Sequence, residues 1–473
     1  MRFCWDLVTI ARLIAAIWLL ASVSGAVAQE ARPAAPPEAP AAESAEAEAT
    51  GEEPDEEGLD AAAVEAEISA QVISGEAKVR LDAARESVVQ IRGFFAGSES
   101  SAFHGSGFAV DDGRRIVTNY HVVAPAVLYP RQYRIEYLAS DGSTGPLRVL
   151  AFDVRNDLAV VAGDDLDLPR LRLRTEIPAQ GERAWSIGFP LNLGLTITEG
   201  VANGLVENSF EQSIHYTGAI NGGMSGGPAL DRRGRVYGVN VSVVTGRQLV
   251  GFVVPAKHIP PLLARAGTPL EQSLSAQQLR QRVAAQVLSY EAEVLEARPD
   301  PAVTQTVRGY VLPTQISRHL ECNTVDERSP HPRMRVEAVG CRIPPRILVQ
   351  LGQNVAGLIV QHRILQSQGL HPLQFERQVN RLAKGPRRSG TPEHVAPFAC
   401  RDAVVSLDGF DARISTCVRQ YRLFDGLYDF DVTVVSIDDA EQALVSRLAL
   451  QGIAFESGRR IMERYLGGLQ WKP

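Results

Sequence analysis

From Ser87 to Ile259 short β-branched runs alternate with turn residues: SVVQIRGFF, GSGFAV, RRIVTNYHVV, YRIEYL, LRVLAF, LAVVAG, AWSIGF, LTITEGVA, PALD, VYGVNVSVV and VGFVVP. Asp111-Asp112-Gly113 and Asp141-Gly142 mark two of the intervening turns. Many short strands at this spacing, with no helices between them, predict an antiparallel all-β barrel or sandwich. The block is too long for one small barrel and fits two packed against each other. Beyond it, Leu274, Leu279, Val283 and Val287 recur at helical spacing within residues 270–296, and Pro299-Asp300-Pro301 breaks the pattern.

Residues 302–473 carry mixed signals. TVRGYVL, MRVEAVGC, ARISTCV and YDFDVTVVSI read as strands. RILVQLGQNVAGLIVQHRILQSQ and DDAEQALVSRLALQGIAFESGRRIMERYL read as helices. The pattern predicts an α+β C-terminal module, with a weak suggestion of a duplicated unit. The expected organisation is a signal peptide at 1–28, a tether at 29–78, the β-rich domain at 79–268, a helical linker at 269–300 and the α+β module at 301–473.

The N-terminus holds Arg2 and Arg12, an apolar run from Leu13 to Val23, and SGAVA before Gln29. A basic start, a short apolar core and small residues at Ala26 and Ala28 predict a secretory signal peptide cleaved after Ala28. An uncleaved anchor would need a longer apolar run. The expected location is therefore exported, periplasmic or secreted, with no stable membrane anchor after cleavage. Residues 29–71 are rich in Ala, Glu and Pro and nearly free of large apolar groups, which predicts a disordered acidic spacer.

Charge then separates by region. The chain has 48 Lys+Arg against 55 Asp+Glu, a net charge of −7. Thirteen acids against Arg32 give residues 29–71 a charge of −12, which leaves +4 for residues 72–473 after the +1 of residues 1–28. The acidity belongs to the tether. The near-neutral remainder does not resemble a nucleic-acid binder, which carries a strongly basic face. Export also makes the cysteines legible. Without Cys4, the set Cys322, Cys341, Cys400 and Cys417 is even in number and expected to form disulfides. Three connectivities are open, and the short loops Cys322–Cys341 and Cys400–Cys417 are preferred. No C-x₂-C pair or tight Cys/His cluster suggests zinc, and neither metal nor cofactor is expected.

Three motifs within the β-rich block carry chemistry, in the order His, Asp, Ser: Thr118-Asn119-Tyr120-His121-Val122-Val123, Arg155-Asn156-Asp157-Leu158-Ala159-Val160-Val161 and Gly222-Gly223-Met224-Ser225-Gly226-Gly227-Pro228. Acyl transfer by serine needs a hydroxyl, an imidazole to take its proton and a carboxylate to fix the imidazole tautomer. The glycines allow the N–H groups of Gly223 and Ser225 to converge as an oxyanion hole. Each motif alone has an ordinary explanation as a cap, turn or strand end. Their conjunction in one exported β-rich block predicts a triad of His121, Asp157 and Ser225. Asp153 is a lesser candidate for the carboxylate, and Ser106 is read as a structural strand serine.

TNYHVV, RNDLAVV, IGFPLNLGLTITEGVA, AINGGMSGGPAL and GFVVPAKHI together resemble the protease domain of HtrA/Deg-type serine proteases, within the chymotrypsin-like clan. The resemblance covers about residues 80–265. It implies a double β-barrel with the site in the cleft between barrels, His121 as general base then acid, Asp157 as its orienting group, and Ser225 as nucleophile. Two positions depart from the family pattern: Met224 stands where it has Asn, and Gly222 where it has Pro. Both act mainly through backbone, so a working but looser loop is expected. The family's PDZ domains, which capture a peptide by strand addition, have no counterpart after residue 268.

The resemblance also places Ala219 and Ile220 at the base of the primary pocket and Val239 and Val241 on its wall, which implies a small or medium aliphatic P1 residue. Such a pocket discriminates by only about 1–3 kcal/mol per methylene, which suits cleavage of unfolded or damaged polypeptides and leaves an oligomer possible. The alternative function is a catalytically weak, protease-like binding or stress-sensing protein.

Overall fold

Strands β1 (Val88–Phe95), β2 (Ser101–Val110), β3 (Arg115–Thr118), β4 (Tyr133–Leu138), β5 (Thr144–Asp153) and β6 (Leu158–Ala162) close into a barrel in the order β1-β2-β3-β6-β5-β4. Strands β7 (Glu182–Gly188), β8 (Thr196–Leu205), β9 (Ile214–Tyr216), β10 (Pro228–Asp231), β11 (Val236–Val241) and β12 (Gly251–Pro255) close into a second, in the order β10-β11-β12-β9-β8-β7. All neighbours run antiparallel, and two closed six-stranded barrels are the double-barrel fold that the strand spacing predicted. Strand β6, LAVVA, is buried at every position, which explains why it reads as an unbroken apolar run. Three-residue β9 is too short to leave such a signal.

The computed structural model describes residues 75–190, 193–206, 212–241, 251–267, 274–295, 297, 303–325, 327–343, 347–350, 353–384, 393–437 and 439–472. The expected signal peptide, and the expected tether up to residue 74, lie outside them. Helix α1 (Gly75–Arg85) precedes the first barrel, so residues 75–78, read as tether, form its first turn. Helix α2 (Tyr120–Leu128) lies between β3 and β4, and α3 (Ile259–Ala266) follows β12.

The segment expected as a linker contains α4 (Ala276–Val294), started by a capping box in which Ser275 and Gln278 bond reciprocally. Val283 and Val287 are fully buried, as their spacing predicted. Residues Glu76–Pro473 form one compact unit, so α4 is a packed element.

In the C-terminal module, β13 (Val303–Val307), β14 (Tyr310–Gln315) and β24 (Gln470–Trp471) make a small sheet. A larger sheet orders β15 (Glu321–Val325), β16 (Met334–Ile343), β19 (Gly357–Ser367), β23 (Gln442–Ile453), β22 (Tyr428–Ser436), β21 (Asp411–Gln420) and β20 (Ala399–Ser406) as β15-β16-β19-β23-β22-β21-β20. Strands β17 (Ile347–Gln350) and β18 (Gln353–Val355) pair as a hairpin. The module is α+β, but the run expected as helix at 346–368 contains β17, β18 and β19, with no helix among its described residues. Its buried strand positions, such as Val349, Val355, Leu358 and Val360, carry apolar residues as closely spaced as a helix face would. The later helix-like run divides into β23 and α6 (Phe455–Gly467).

Helix α5 (Pro372–Leu382) packs Phe375 and Val379 on Leu365, Val435 and Val445. Helix α6 covers the other face, where Gly458 lies against the ring of Phe430. Disulfides join Cys322 to Cys341 and Cys400 to Cys417, each pair directly opposite in the β15–β16 and β20–β21 ladders.

Beneath α6, His362 Nε2 donates to the carbonyl of Pro313 (3.2 Å). Its Nδ1 accepts from Ser446 Oγ (2.7 Å), which lies 2.5 Å from Tyr465 Oη. Every site on the neutral ring is satisfied, and burial pushes its pKa down to about 4. The unfolded chain therefore binds this proton first as the pH falls. The contribution of this ring to stability is complete above about pH 6.5 and is lost as the pH falls from 6.5 to 4, an expected change of roughly 3 kcal/mol. Urea unfolding of His362→Gln should lack this contribution. An unchanged pH dependence would remove His362 as its source.

Candidate active site

The three predicted residues come from three separate connections. β3 ends at Thr118 and Asn119 leads into α2, so His121 stands in the first turn of a helix and not at a strand end. Asn119 keeps extended backbone (φ −79, ψ 149) and donates Nδ2–H to the carbonyl of Asp157 (2.8 Å). The Tyr120 N–H donates to the same carbonyl (3.1 Å). Asp157 lies in the turn between β5 and β6 with φ +51, a left-handed value that Asp tolerates better than most residues. This conformation brings its carboxylate back onto His121: Oδ1 accepts the His121 N–H (2.9 Å) and Oδ2 lies 2.7 Å from Nδ1.

Two contacts fix both the position and the rotation of the carboxylate. The imidazole and carboxylate side chains are only 19% and 24% exposed, so water screens the pair weakly. Burial alone would lower the His121 pKa, but the charge of Asp157 and its hydrogen bond outweigh burial and hold it above the ordinary histidine value. Asp153, the lesser candidate, accepts from Asn156 N (3.0 Å) and Asn156 Nδ2 (3.0 Å) and pairs with Arg265 (3.2 Å). It shapes the turn that presents Asp157.

Ser225 lies between β9 and β10 and is 4% exposed. Asn221-Gly222-Gly223-Met224 form a turn closed by Met224 N–H to the Asn221 carbonyl (3.0 Å). Gly223 at its third position has φ +96, the sign of a type II turn. Ser106 fixes this turn. Its Oγ donates to the Gly223 carbonyl (2.7 Å) and accepts the Phe189 N–H (3.0 Å), while its N–H donates to the Ser225 carbonyl (2.8 Å).

One residue of the first barrel therefore supports the loop of the second. Sequence reasoning placed Ser106 on a strand and missed this bond, whose only trace was the glycines around it. The loop is not loose, because Met224 is fully buried and its carbonyl accepts the Gly227 N–H (3.0 Å). Gly226 (φ +87) lies where a Cβ would come 2.1 Å from the Ser106 carbonyl oxygen. The crossing chains leave no room for a side chain there.

Ala219 is exposed and its carbonyl accepts from Thr198 Oγ1 (2.9 Å). Ile220 is half-buried, packed on the core of the second barrel and over Gly251. Val239 is fully buried, so it offers no surface to a substrate. Its strand is buried from Val236 through Asn240 and opens only at Val241. Among the described residues, no three His, Cys, Asp or Glu side chains are grouped as a metal site, and no helix is long and apolar enough to cross a membrane.

Residues 105–239 match the family model described as "Trypsin-like peptidase domain". The paired barrels resemble a trypsin-like peptidase domain of the HtrA type. A "Probable periplasmic serine endoprotease DegP-like" of Chlamydia trachomatis is 34% identical over 173 residues, 35% of this chain and 33% of that protein. "Serine protease HTRA2, mitochondrial" of Drosophila willistoni is 33% identical over 182 residues, 37% of this chain and 41% of that protein. A solved structure titled "HtrA-type protease AlgWS227A with tripeptide" is 26% identical, with a TM-score of 0.35, and the match covers 40% of this chain and 62% of that one. The chain thus spans about a third to two-fifths of these curated relatives' length. The similarity belongs to the peptidase domain.

Within that domain, Gly223 is a second position of this loop that cannot accept a side chain unless its turn moves. A Cβ there would meet the Phe189 carbonyl oxygen at 2.3 Å, and φ +96 is strained for any L-residue. Relieving both requires the turn to change type, which rotates the 222–223 peptide and carries the Gly223 N–H away from the site. Gly223→Ala is expected to lower kcat by about 10²–10³, the effect of losing one oxyanion donor, with KM nearly unchanged. Steady-state kinetics on a fluorogenic peptide would check it. Wild-type kcat would show that this N–H is not a donor.

Proposed function

We propose that this chain is an exported serine endopeptidase that hydrolyses peptide bonds of unfolded or damaged proteins. The observation that carries the reading is the two-point bond between Asp157 and His121 beside the glycine turn that holds Ser225. With Oδ2 of Asp157 accepting Nδ1–H, the imidazole keeps its proton there and leaves Nε2 as a base. Nε2 takes the Ser225 Oγ proton as Oγ attacks the scissile carbonyl, and the N–H groups of Gly223 and Ser225 receive the developing oxyanion. The imidazolium then protonates the leaving amine, which departs to give an acyl-enzyme. Water, deprotonated by the same nitrogen, releases the acid and restores Ser225.

Ala219 and Ile220, with no carboxylate at this position to bind Lys or Arg, favour a small or medium aliphatic P1 side chain. Such weak selection suits substrates chosen by exposure of their backbone, and polypeptides lacking structure present it most freely. Export rests on the basic, apolar and small-residue pattern of residues 1–28 and on the word "periplasmic" in the name of the chlamydial relative.

The test is to treat the purified mature chain with a fluorophosphonate probe and to follow casein cleavage, with Ser225→Ala as the blank. Labelling at Ser225 together with casein turnover is expected. No labelling, or equal cleavage by the blank, would overturn the reading and favour a binding or sensing protein with a protease-like fold.

A further inference from the structure

The helix expected as a linker touches the backbone that carries the proposed catalytic pair. Gln286 of α4 accepts the Val154 N–H on Oε1 (2.8 Å) and donates Nε2–H to the Phe152 carbonyl (3.3 Å). These two groups point the same way from an extended chain, so the amide completes them as a neighbouring strand would. Asp157 begins three residues later, and its own N–H reaches only the Val154 carbonyl (3.4 Å). The anchored residue is thus also the one that closes the Asp157 turn.

Further contacts hold the helix that carries His121. Arg280 donates from Nε (3.0 Å) and Nη2 (2.8 Å) to the Leu128 carbonyl, one of the carbonyls left without a helical partner at the C-terminal end of α2. At the other end, the Tyr120 hydroxyl donates to the Val349 carbonyl of β17 (3.0 Å), and both residues are fully buried. Arg155, in the Asp157 turn, pairs with Glu293 of α4 at 2.6 and 3.2 Å. That last pair is exposed and contributes little. The buried Tyr120 bond, the two Arg280 bonds and the Gln286 amide decide the placement. Residues beyond the barrels therefore grip both ends of α2 and the approach to Asp157.

We propose that Gln286 is a positioning residue for the Asp157–His121 pair, through which α4 makes the C-terminal part of the chain an integral component of the proteolytic site. This rests on the serine-protease reading above. Gln286 touches no substrate. It sets where the Asp157 carboxylate sits, and a displacement of about 1 Å in such a group can cost up to 10² in rate.

The experiment uses the mature full-length chain with Gln286→Leu and Gln286→Glu, measuring kcat, KM and the rate of fluorophosphonate labelling at pH 8 and pH 5, each as a ratio to wild type. Gln286→Leu keeps the volume and loses both bonds. It is expected to lower kcat and labelling about ten- to a hundredfold at both pH values, with KM within about twofold. Gln286→Glu still accepts from Val154, but its second oxygen opposes the Phe152 carbonyl while ionised and donates to it once protonated. Its deficit should be large at pH 8 and should narrow at pH 5.

A contact serving stability alone would not reproduce that pH-dependent recovery. Wild-type ratios for both variants, or a Gln286→Glu deficit equal at the two pH values, would overturn the proposal. Absence of labelling in the wild-type chain is a different result. It would remove the protease reading itself, and this inference with it.

Discussion

Ser225→Ala is expected to lower kcat on casein or a fluorogenic peptide by on the order of 10⁶, the loss seen when a serine nucleophile is removed from an intact site. The environment of the residue supports so selective an effect. Ser225 is 4% exposed, and its surroundings are set by backbone: its carbonyl accepts the Ser106 N–H, and the following glycine is wedged against the Ser106 carbonyl. Alanine fits the same space. The Asn221–Met224 turn is closed by backbone bonds that do not involve the hydroxyl, and the Asp157–His121 pair stands on the other barrel. The variant should unfold at the wild-type temperature within a few degrees and should not take up a fluorophosphonate. Residual turnover would come from the oxyanion donors and from binding alone. A loss below about tenfold would mean that another group supplies the nucleophile.

Asp157→Asn should cost about 10⁴ in kcat and should also move the pH profile. Asparagine tolerates the left-handed conformation at φ +51 as readily as aspartate, so the turn is retained. Its Oδ1 can keep the His121 N–H, which leaves the amide NH₂ facing Nδ1. That arrangement favours the tautomer with hydrogen on Nε2, and such a nitrogen cannot accept the serine proton.

The sign of the pH effect follows from the same pair. His121 must be neutral to act as base, and in the wild type the charge and hydrogen bond of Asp157 hold its pKa above the usual 6.5. The acid limb of wild-type kcat/KM should therefore have its midpoint above 6.5. In Asp157→Asn only burial remains, which favours the neutral ring, so the midpoint should move to lower pH. Measuring kcat/KM from pH 5 to 9 for both proteins checks this. A midpoint unmoved by the substitution would show that Asp157 does not set the charge of His121.

The parts legible in the sequence were those whose chemistry restricts residue type. A nucleophile in a crowded turn needs glycines on both sides, and GGMSGGP displays them. The barrels were legible because their strands are short and separated by turn residues. What escaped depended on tertiary backbone. Gln286 is an unremarkable polar residue on a helix until the free N–H and carbonyl of Val154 and Phe152 stand opposite it. The Tyr120 hydroxyl finds its acceptor more than two hundred positions away in the chain. Residues 346–368 were read as helix because hydrophobic spacing in a short, buried run does not separate a strand from a helix. The β17–β18 hairpin and the pairing of β19 with β16 and β23 resolve them. The resemblance alone puts Val239 on the pocket wall, and its full burial shows that a resemblance locates a strand without saying which side chains reach the cleft.

The two disulfides lie at opposite margins of the seven-stranded sheet, one in each outermost strand pair. Such margins are where unpaired backbone invites strand exchange and aggregation. A slip of one residue there would turn every side chain of the strand to the other face. Because Cys322 faces Cys341, and Cys400 faces Cys417, directly across the ladder, a slip in either pair would part the sulfurs. Each bridge therefore locks its margin to a single alignment. That lock guards the sheet where it is most open to a neighbouring strand.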